Sequence, residues 1–307
     1  MADTVRDRRT LRPAAGLVAT LALLVGACTS AASPVPAPSA TAAQPSAAPS
    51  PVGNRELILA TTTSTRDSGL LDVLLPDFEA RTGYAVKMLA VGSGQALELG
   101  QEGNVDVLLV HSPAAEKAFV EAGHGIDRRL VMHNDFIIVG PEADRAGIAG
   151  LTSASEALAR IAAAKATFVS RGDGSGTETK ELALWKAAGI TPEGAWYLQS
   201  GQPMGATLTI TSEKGGYTLS DRATYLAFSD QVSLDILLEG DPVLLNVYSV
   251  IRVNPDSWPK VNAAGALAFA DYLVSPEGQA LIGAFGVQEY GQALFVPDAG
   301  KDEGSLP

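Results

Sequence analysis

The chain of 307 residues has one cysteine, Cys28, so no disulfide can close within it. It has three histidines, His111, His124 and His133, and these give no spacing suited to a zinc site. A Gly-x-Ser-x-Gly nucleophile elbow is missing, and so is a Gly-x-x-x-x-Gly-Lys-Ser/Thr phosphate loop. A secreted hydrolase using Ser64 or Ser175 would therefore lack its partner pattern, and any nucleotide hydrolysis has to lie in another chain. Basic residues are scarce as well. Against 34 Asp and Glu there are 22 Lys and Arg, a formal net charge of −12, which argues against nucleic-acid binding. No catalytic residue, resident metal or cofactor is expected.

Apolar residues make up 46% and charged residues 18%, enough for a substantial core, and the length fits about two domains. The N-terminus reads as an export signal. Arg6, Arg8, Arg9 and Arg12 precede an apolar stretch, Ala14 to Ala27, that is too short to span a bilayer comfortably. Val25-Gly26-Ala27-Cys28 then resembles a bacterial lipobox, which makes 1–27 a lipoprotein signal peptide and Cys28 the lipidation site. Removing 1–27 takes away four Arg and two Asp and leaves −14. Residues 28–53 are almost wholly Ala, Pro, Ser and Thr, a composition that has little to bury and suits an extended tether.

From Glu56 onward strand-like and helix-like segments alternate. Leu57–Ala60, Val86–Val91, Val105–Val110, Phe136–Val139, Thr167–Ser170 and Leu244–Val253 read as strands. Helices are expected from Asp67 or Ser68, with Pro76 kinking or splitting the first one, and near Gln95–Glu102, Ala114–Ala122, Ser155–Ala164, Thr177–Ala188, Met204–Thr211 and Leu267–Val274. Leu182 and Trp185 should share one face, and Ser275-Pro276 should start a last helix. Alternation of this kind predicts an α/β architecture with parallel strands, whose ligands sit beyond the carboxyl ends of the strands. Three loops at that edge are notable: Thr61-Thr62-Thr63-Ser64-Thr65, Gly92-Ser93-Gly94, and Ser170-Arg171-Gly172-Asp173-Gly174-Ser175-Gly176-Thr177.

With these loops, Asp106-Val107-Leu108-Leu109-Val110-His111, Asn134-Asp135-Phe136 and Asp221-Arg222-Ala223-Thr224-Tyr225-Leu226, the sequence resembles the tungstate-binding lipoproteins of bacterial ABC importers. That family lies within the type II periplasmic binding proteins. The resemblance runs from about Leu57 to Pro297 and implies two α/β lobes joined by two crossover strands, with a central cleft. The crossovers would be Phe136–Gly140 and Asn246–Val253, giving lobes of 54–138 with 248–307, and of 139–247. Two positions depart from the family pattern. Gly174 stands where an acidic or amide residue is usual, and Glu178 where histidine is usual.

A doubly charged tetrahedral oxyanion offers only acceptors, so its site should offer donors. The hydroxyls of Thr62, Thr63, Ser64 and Ser93, the backbone N–H groups of Ser175, Gly176 and Thr177, and the Arg171 fork meet that demand. Asp173 should point away, pairing with Arg171 or capping the helix near Ser175; facing the cleft, it would favour monohydrogen phosphate. The expected function is extracytoplasmic capture of tungstate, or molybdate, for the permease of an ABC importer. The protein would be a monomer, lipid-anchored to the outer face of the plasma membrane. A phosphate-binding protein of the same fold is the alternative, and a structural or adhesive surface lipoprotein is a third class.

Overall fold

The computed structural model describes residues 54–306; the signal peptide, Cys28 and the linker lie outside the described residues. Strand β1 (Glu56–Thr62) sends Leu57 and Leu59 into one core and Ile58 and Ala60 toward another, the period-two alternation of a sheet covered on both faces. The threonine-rich run is not an open loop. Thr61 and Thr62 finish β1, and Thr63 opens a short helix, α1 (Thr63–Asp67), with Thr62 as its N-cap. Helix α2 (Leu70–Thr82) starts from Gly69, whose φ of 81° suits a residue without a Cβ, rather than from Asp67 or Ser68. The Ser68 hydroxyl donates instead to Thr65 O at 2.8 Å. Pro76 does not split α2. The carbonyl of Asp72, deprived of its usual donor, belongs to an exposed residue and can turn to water.

Strand β2 (Ala85–Val91), helix α3 (Ser93–Gln101), strand β3 (Val107–Val110) and helix α4 (Pro113–Glu121) follow. Strand β4 (Gly125–Gly140) is much longer than the expected Phe136–Val139, because Arg128, Arg129, His133 and Asp135 interrupt the apolar pattern that would reveal it. Next come α5 (Ala154–Ala164), β5 (Phe168–Ser170), α6 (Gly176–Ala187), β6 (Tyr197–Gln199), α7 (Met204–Lys214), β7 (Thr218–Asp221), α8 (Arg222–Phe228) and β8 (Asp235–Leu238). Strand β9 (Leu245–Val253), α9 (Ala263–Val274), α10 (Pro276–Ala284), α11 (Val287–Tyr290) and β10 (Val296–Pro297) complete the chain. Ser275 caps α10 through its hydroxyl, with Pro276 at the first helical position, as the sequence predicts. Leu182 is exposed although Trp185 on the same helix is buried, so the two do not share a buried face.

The strands are mixed rather than all parallel. β1 pairs in parallel with β2 and β3, whereas β9 runs antiparallel to both β3 and β4. Strand β4 carries the chain from one lobe to the other. Residues Gly125 to Asp135 pair with β9, and Phe136 to Gly140 pair with β7 and β8. The return passes through Leu244 into β9. In the first lobe α2 and α9 cover one sheet face and α3 and α4 the other; in the second, α5 and α6 lie opposite α7 and α8.

Glu181 and Glu116 are among the carboxyls buried in these lobes that titrate closer to neutrality than usual. Glu181 on α6 accepts from Trp185 Nε1 at 3.0 Å and Tyr197 OH at 2.7 Å, with no cation beside it, and burial pushes its pKa up to about 7. Glu116 is also pushed up to about 7 by burial, against the pull of Arg128. A carboxyl whose folded pKa is raised binds more protons folded than unfolded, so its stabilisation is lost as pH climbs through the folded pKa. His111 is shifted the opposite way, down to about 4, and opposes this only below the ordinary imidazole range. Acidification from pH 8 to pH 6.5 is therefore expected to raise the melting temperature by a few degrees. Glu181→Gln keeps both acceptor bonds and should reduce that rise in calorimetry; an unchanged pH slope would refute the assignment.

Candidate functional site

Strands β1, β2 and β5 each end at the edge where a helix begins, and the three hydroxyl-rich segments lie there. The first four N–H groups of a helix have no intrahelical acceptor, and the helix dipole favours negative charge beside them. The starts of α1 and α3, from the first lobe, meet the start of α6, from the second. Arg171 Nη2 donates to Thr63 Oγ1 at 3.2 Å across the lobes. A Cβ on Gly92 would lie 3.4 Å from both Asp173 O and Gly174 O. A Cβ on Gly176 would lie 2.8 Å from Ser93 Oγ and 2.9 Å from His111 Cε1, so the bare glycine is what permits the approach. On the same side, Thr224 Oγ1 donates to Ser64 O at 3.2 Å.

Every expected ligand-binding residue lies in this junction. Thr62, Ser64, Ser93, Arg171, Ser175 and Thr177 are all buried. Three of their polar atoms have no partner among the described residues: Ser93 Oγ, Thr177 Oγ1 and Arg171 Nη1. Each can donate, and burying such groups unpaired is costly. The rest of the guanidinium is anchored: Nε donates to Gln202 O at 2.7 Å, and Nη2 donates to Asp173 Oδ2. Asp173 pairs with Arg171 as expected but is not the helix cap: its Oδ1 accepts from the N–H of Ser175, the residue that caps α6, at 3.1 Å. That bond also corrects one expectation. The Ser175 N–H is already taken, which leaves the first-turn N–H groups of Gly176 and Thr177 for a ligand. The Ser175 hydroxyl caps α6 by accepting from Glu178 N at 3.2 Å. Glu178 turns back over the helix start, where its Oε2 accepts from Gly174 N at 2.5 Å, so its charge is tied to the cap.

Two residues outside the expected set belong to the same junction. His111 Nε2 lies 3.1 Å from Thr62 Oγ1 and 3.2 Å from Ser64 Oγ. Burial, helped by the Arg171 charge, holds this imidazole down at about 4, hence neutral. Asp221 is a buried acceptor whose pKa burial pushes up to about 6, against the pull of the Thr224 N–H and the Arg171 charge. Its Oδ1 caps α8 by accepting from Thr224 N at 2.9 Å, while Oδ2 has no partner. The surroundings are therefore not wholly free of acceptors. Asp221 is the last residue of β7 and His111 the first after β3, and a place at a strand end is the signal by which the sequence could have marked them.

The chain was compared with known proteins. A family model described as the PBP superfamily domain matches residues 35–277. The tungstate-binding protein TupA of Peptoclostridium acidaminophilum is 51% identical over 80% of this chain and 86% of its own length. The solved tungstate-binding protein TupA of Desulfovibrio alaskensis G20 is 49% identical, with a TM-score of 0.67 over 80% of this chain and 99% of that one. A solved structure described as the tungstate ABC transporter from Geobacter sulfurreducens is 50% identical, with a TM-score of 0.69 over 75% and 98%. The chain belongs to the PBP superfamily and, within it, to the family of these tungstate-binding proteins.

Proposed function

We propose that the chain captures tungstate outside the cytoplasm and delivers it to the permease of an ABC importer. It is a binding protein, not an enzyme. The carrying observation is the set of buried donors without a partner among the described residues, Arg171 Nη1, Ser93 Oγ and Thr177 Oγ1, gathered where the two lobes meet. A tetrahedral dianion supplies the acceptors these atoms lack, and each charge-assisted bond contributes about 1.5–3 kcal/mol. The proposed ligands are Thr62, Thr63, Ser64, Ser93, Arg171, Gly176 and Thr177, with Ser175 acting as the cap of α6. Molybdate, of the same shape and charge, is the competing cargo. Phosphate is not favoured: Asp173, which would have to accept a phosphate proton, is committed to Arg171 and to the Ser175 N–H. The relatives are likewise named for tungstate.

We place the lobes at 54–138 with 248–307 and at 139–247; strand partners change within about three residues of these limits. Hinge motion there opens the cleft, and the anion favours the closed form by binding it more tightly. The protein is a monomer tethered through Cys28 to the outer face of the plasma membrane. Thermal shift of the chain with tungstate, molybdate, sulfate and phosphate in parallel tests the function. At a hundredfold excess over Kd a bound anion adds about 2.7 kcal/mol to stability, a shift of several degrees. Tungstate and molybdate should give it. Preference for phosphate would restore the alternative, and no response to any of the four would favour a structural lipoprotein.

A further inference from the structure

His111 directly follows β3 and is 4% exposed. One ring nitrogen, Nε2, reaches two hydroxyls of the threonine segment, Thr62 Oγ1 at 3.1 Å and Ser64 Oγ at 3.2 Å. The opposite ring edge, Cε1 and Nδ1, faces Gly176 of the other lobe so closely that a Cβ there would lie 2.9 Å and 3.0 Å away. Thr62 Oγ1 is also engaged by the Thr65 N–H at 3.2 Å and lies 2.6 Å from Thr65 Oγ1 and 3.1 Å from Ser64 Oγ. The orientation of these hydroxyls is thus set from the inner side of the site. The imidazole also touches the first residue of α6, beside Ser93.

Building on the oxyanion function proposed above, we propose that His111 is a positioning residue. Its Nε2 fixes the Thr62 and Ser64 hydroxyls so that α1 presents its donors to the anion, and its ring edge is the seat on which α6 closes. A hydroxyl has a single proton and rotates freely, so a neighbour that takes up one of its bonding directions decides where the others point. The orientation is then settled before the ligand arrives, which lowers the ordering cost of binding.

A packing role competes with this, because the ring centroid lies 4.8 Å from that of Tyr248. Two variants of the full chain separate the roles. His111→Phe keeps the ring and its apolar burial but removes both nitrogens. His111→Gln loses the ring but carries an amide to the place of Nε2, able to donate or accept by rotating. In titration calorimetry with tungstate, His111→Phe should bind ~30-fold more weakly than the parent, while His111→Gln stays within ~5-fold, each tenfold corresponding to 1.4 kcal/mol. Phenylalanine binding as well as the parent, or glutamine binding as poorly as phenylalanine, would overturn the inference. Should His111→Phe not fold, His111→Leu takes its place with the same expectation. The Ser64→Ala, His111→Phe double-mutant cycle adds a second readout: losses should be non-additive by ~5-fold or more, and additive losses would count against coupling through that hydroxyl. A parent chain that binds none of the oxyanions overturns the proposed function and this inference with it.

Discussion

Replacing Arg171 by alanine should weaken tungstate binding by ~100-fold or more, the loss of one or two charge-assisted bonds at about 1.5–3 kcal/mol each. The guanidinium is a buried cation of the junction. It is 1% exposed and its Nη1 has no acceptor among the described residues, so a ligand oxygen is the natural partner. Its other nitrogens bond Gln202 O, Thr63 Oγ1 and Asp173. Alanine therefore removes more than the bonding to the ligand, because these three contacts go as well. The Asp173 carboxylate is left without its cation beside the site and turns the local charge from attractive to repulsive. Lysine, a point charge with no planar fork, cannot serve Gln202, Thr63, Asp173 and an anion together, so Arg171→Lys should lose most of the affinity too. Arg171→Ala with Asp173→Asn should recover part of the loss, because the uncompensated carboxylate is gone. Calorimetry on variants whose far-ultraviolet dichroism matches the parent decides the matter. Affinity retained within a few-fold in Arg171→Ala would remove Arg171 from the ligand set.

The parts of this site that could be read from sequence are those in which residue type and position say the same thing. Hydroxyl-rich segments after β1, β2 and β5 fall at the carboxyl edge of a sheet, and the serine before Gly176 with Glu178 three residues on is a capping pattern. What could not be read depends on contacts distant in sequence. The bond from Thr224 to Ser64 O links residues 160 apart, and His111 meets Thr62 and Ser64 from 49 and 47 residues away. Strand β4 hid for another reason. Its first part carries Arg128 and Arg129, whose charges are balanced by Glu116, Glu303, Asp127 and Asp271. Ion pairs let charged residues occupy a central strand, and period-two hydrophobicity then fails to report it. Glu178, a charge of the wrong sign by residue type, has one oxygen held by the Gly174 N–H, which sequence cannot show.

Gly176→Ala should separate folding from closure more cleanly than any change of a charged group. Alanine at the first position of α6 is a better helix former than glycine, by about 1 kcal/mol in an interior, so the helix itself should not suffer. The added Cβ would lie 2.8 Å from Ser93 Oγ and 2.9 Å from His111 Cε1, both on the other lobe. Separating the lobes relieves the clash, whereas closing them restores it. Overpacking of this kind costs about 1–3 kcal/mol, and a closed form made that much rarer lowers the apparent affinity in proportion, by ~5-fold to ~150-fold. Thermal stability without ligand should stay near that of the parent. Gly174→Ala is the contrast, because its φ of +70° makes a side chain strained while no atom lies within 4 Å of the new Cβ. That change should lower stability by about 1 kcal/mol or more and leave lobe closure sterically free. Small-angle scattering with and without tungstate, beside calorimetry, reads both quantities: compaction on adding ligand should survive in Gly174→Ala and be lost or weakened in Gly176→Ala. If Gly176→Ala compacts and binds like the parent, the close approach of α6 to Ser93 and His111 is not the closed state that holds the anion.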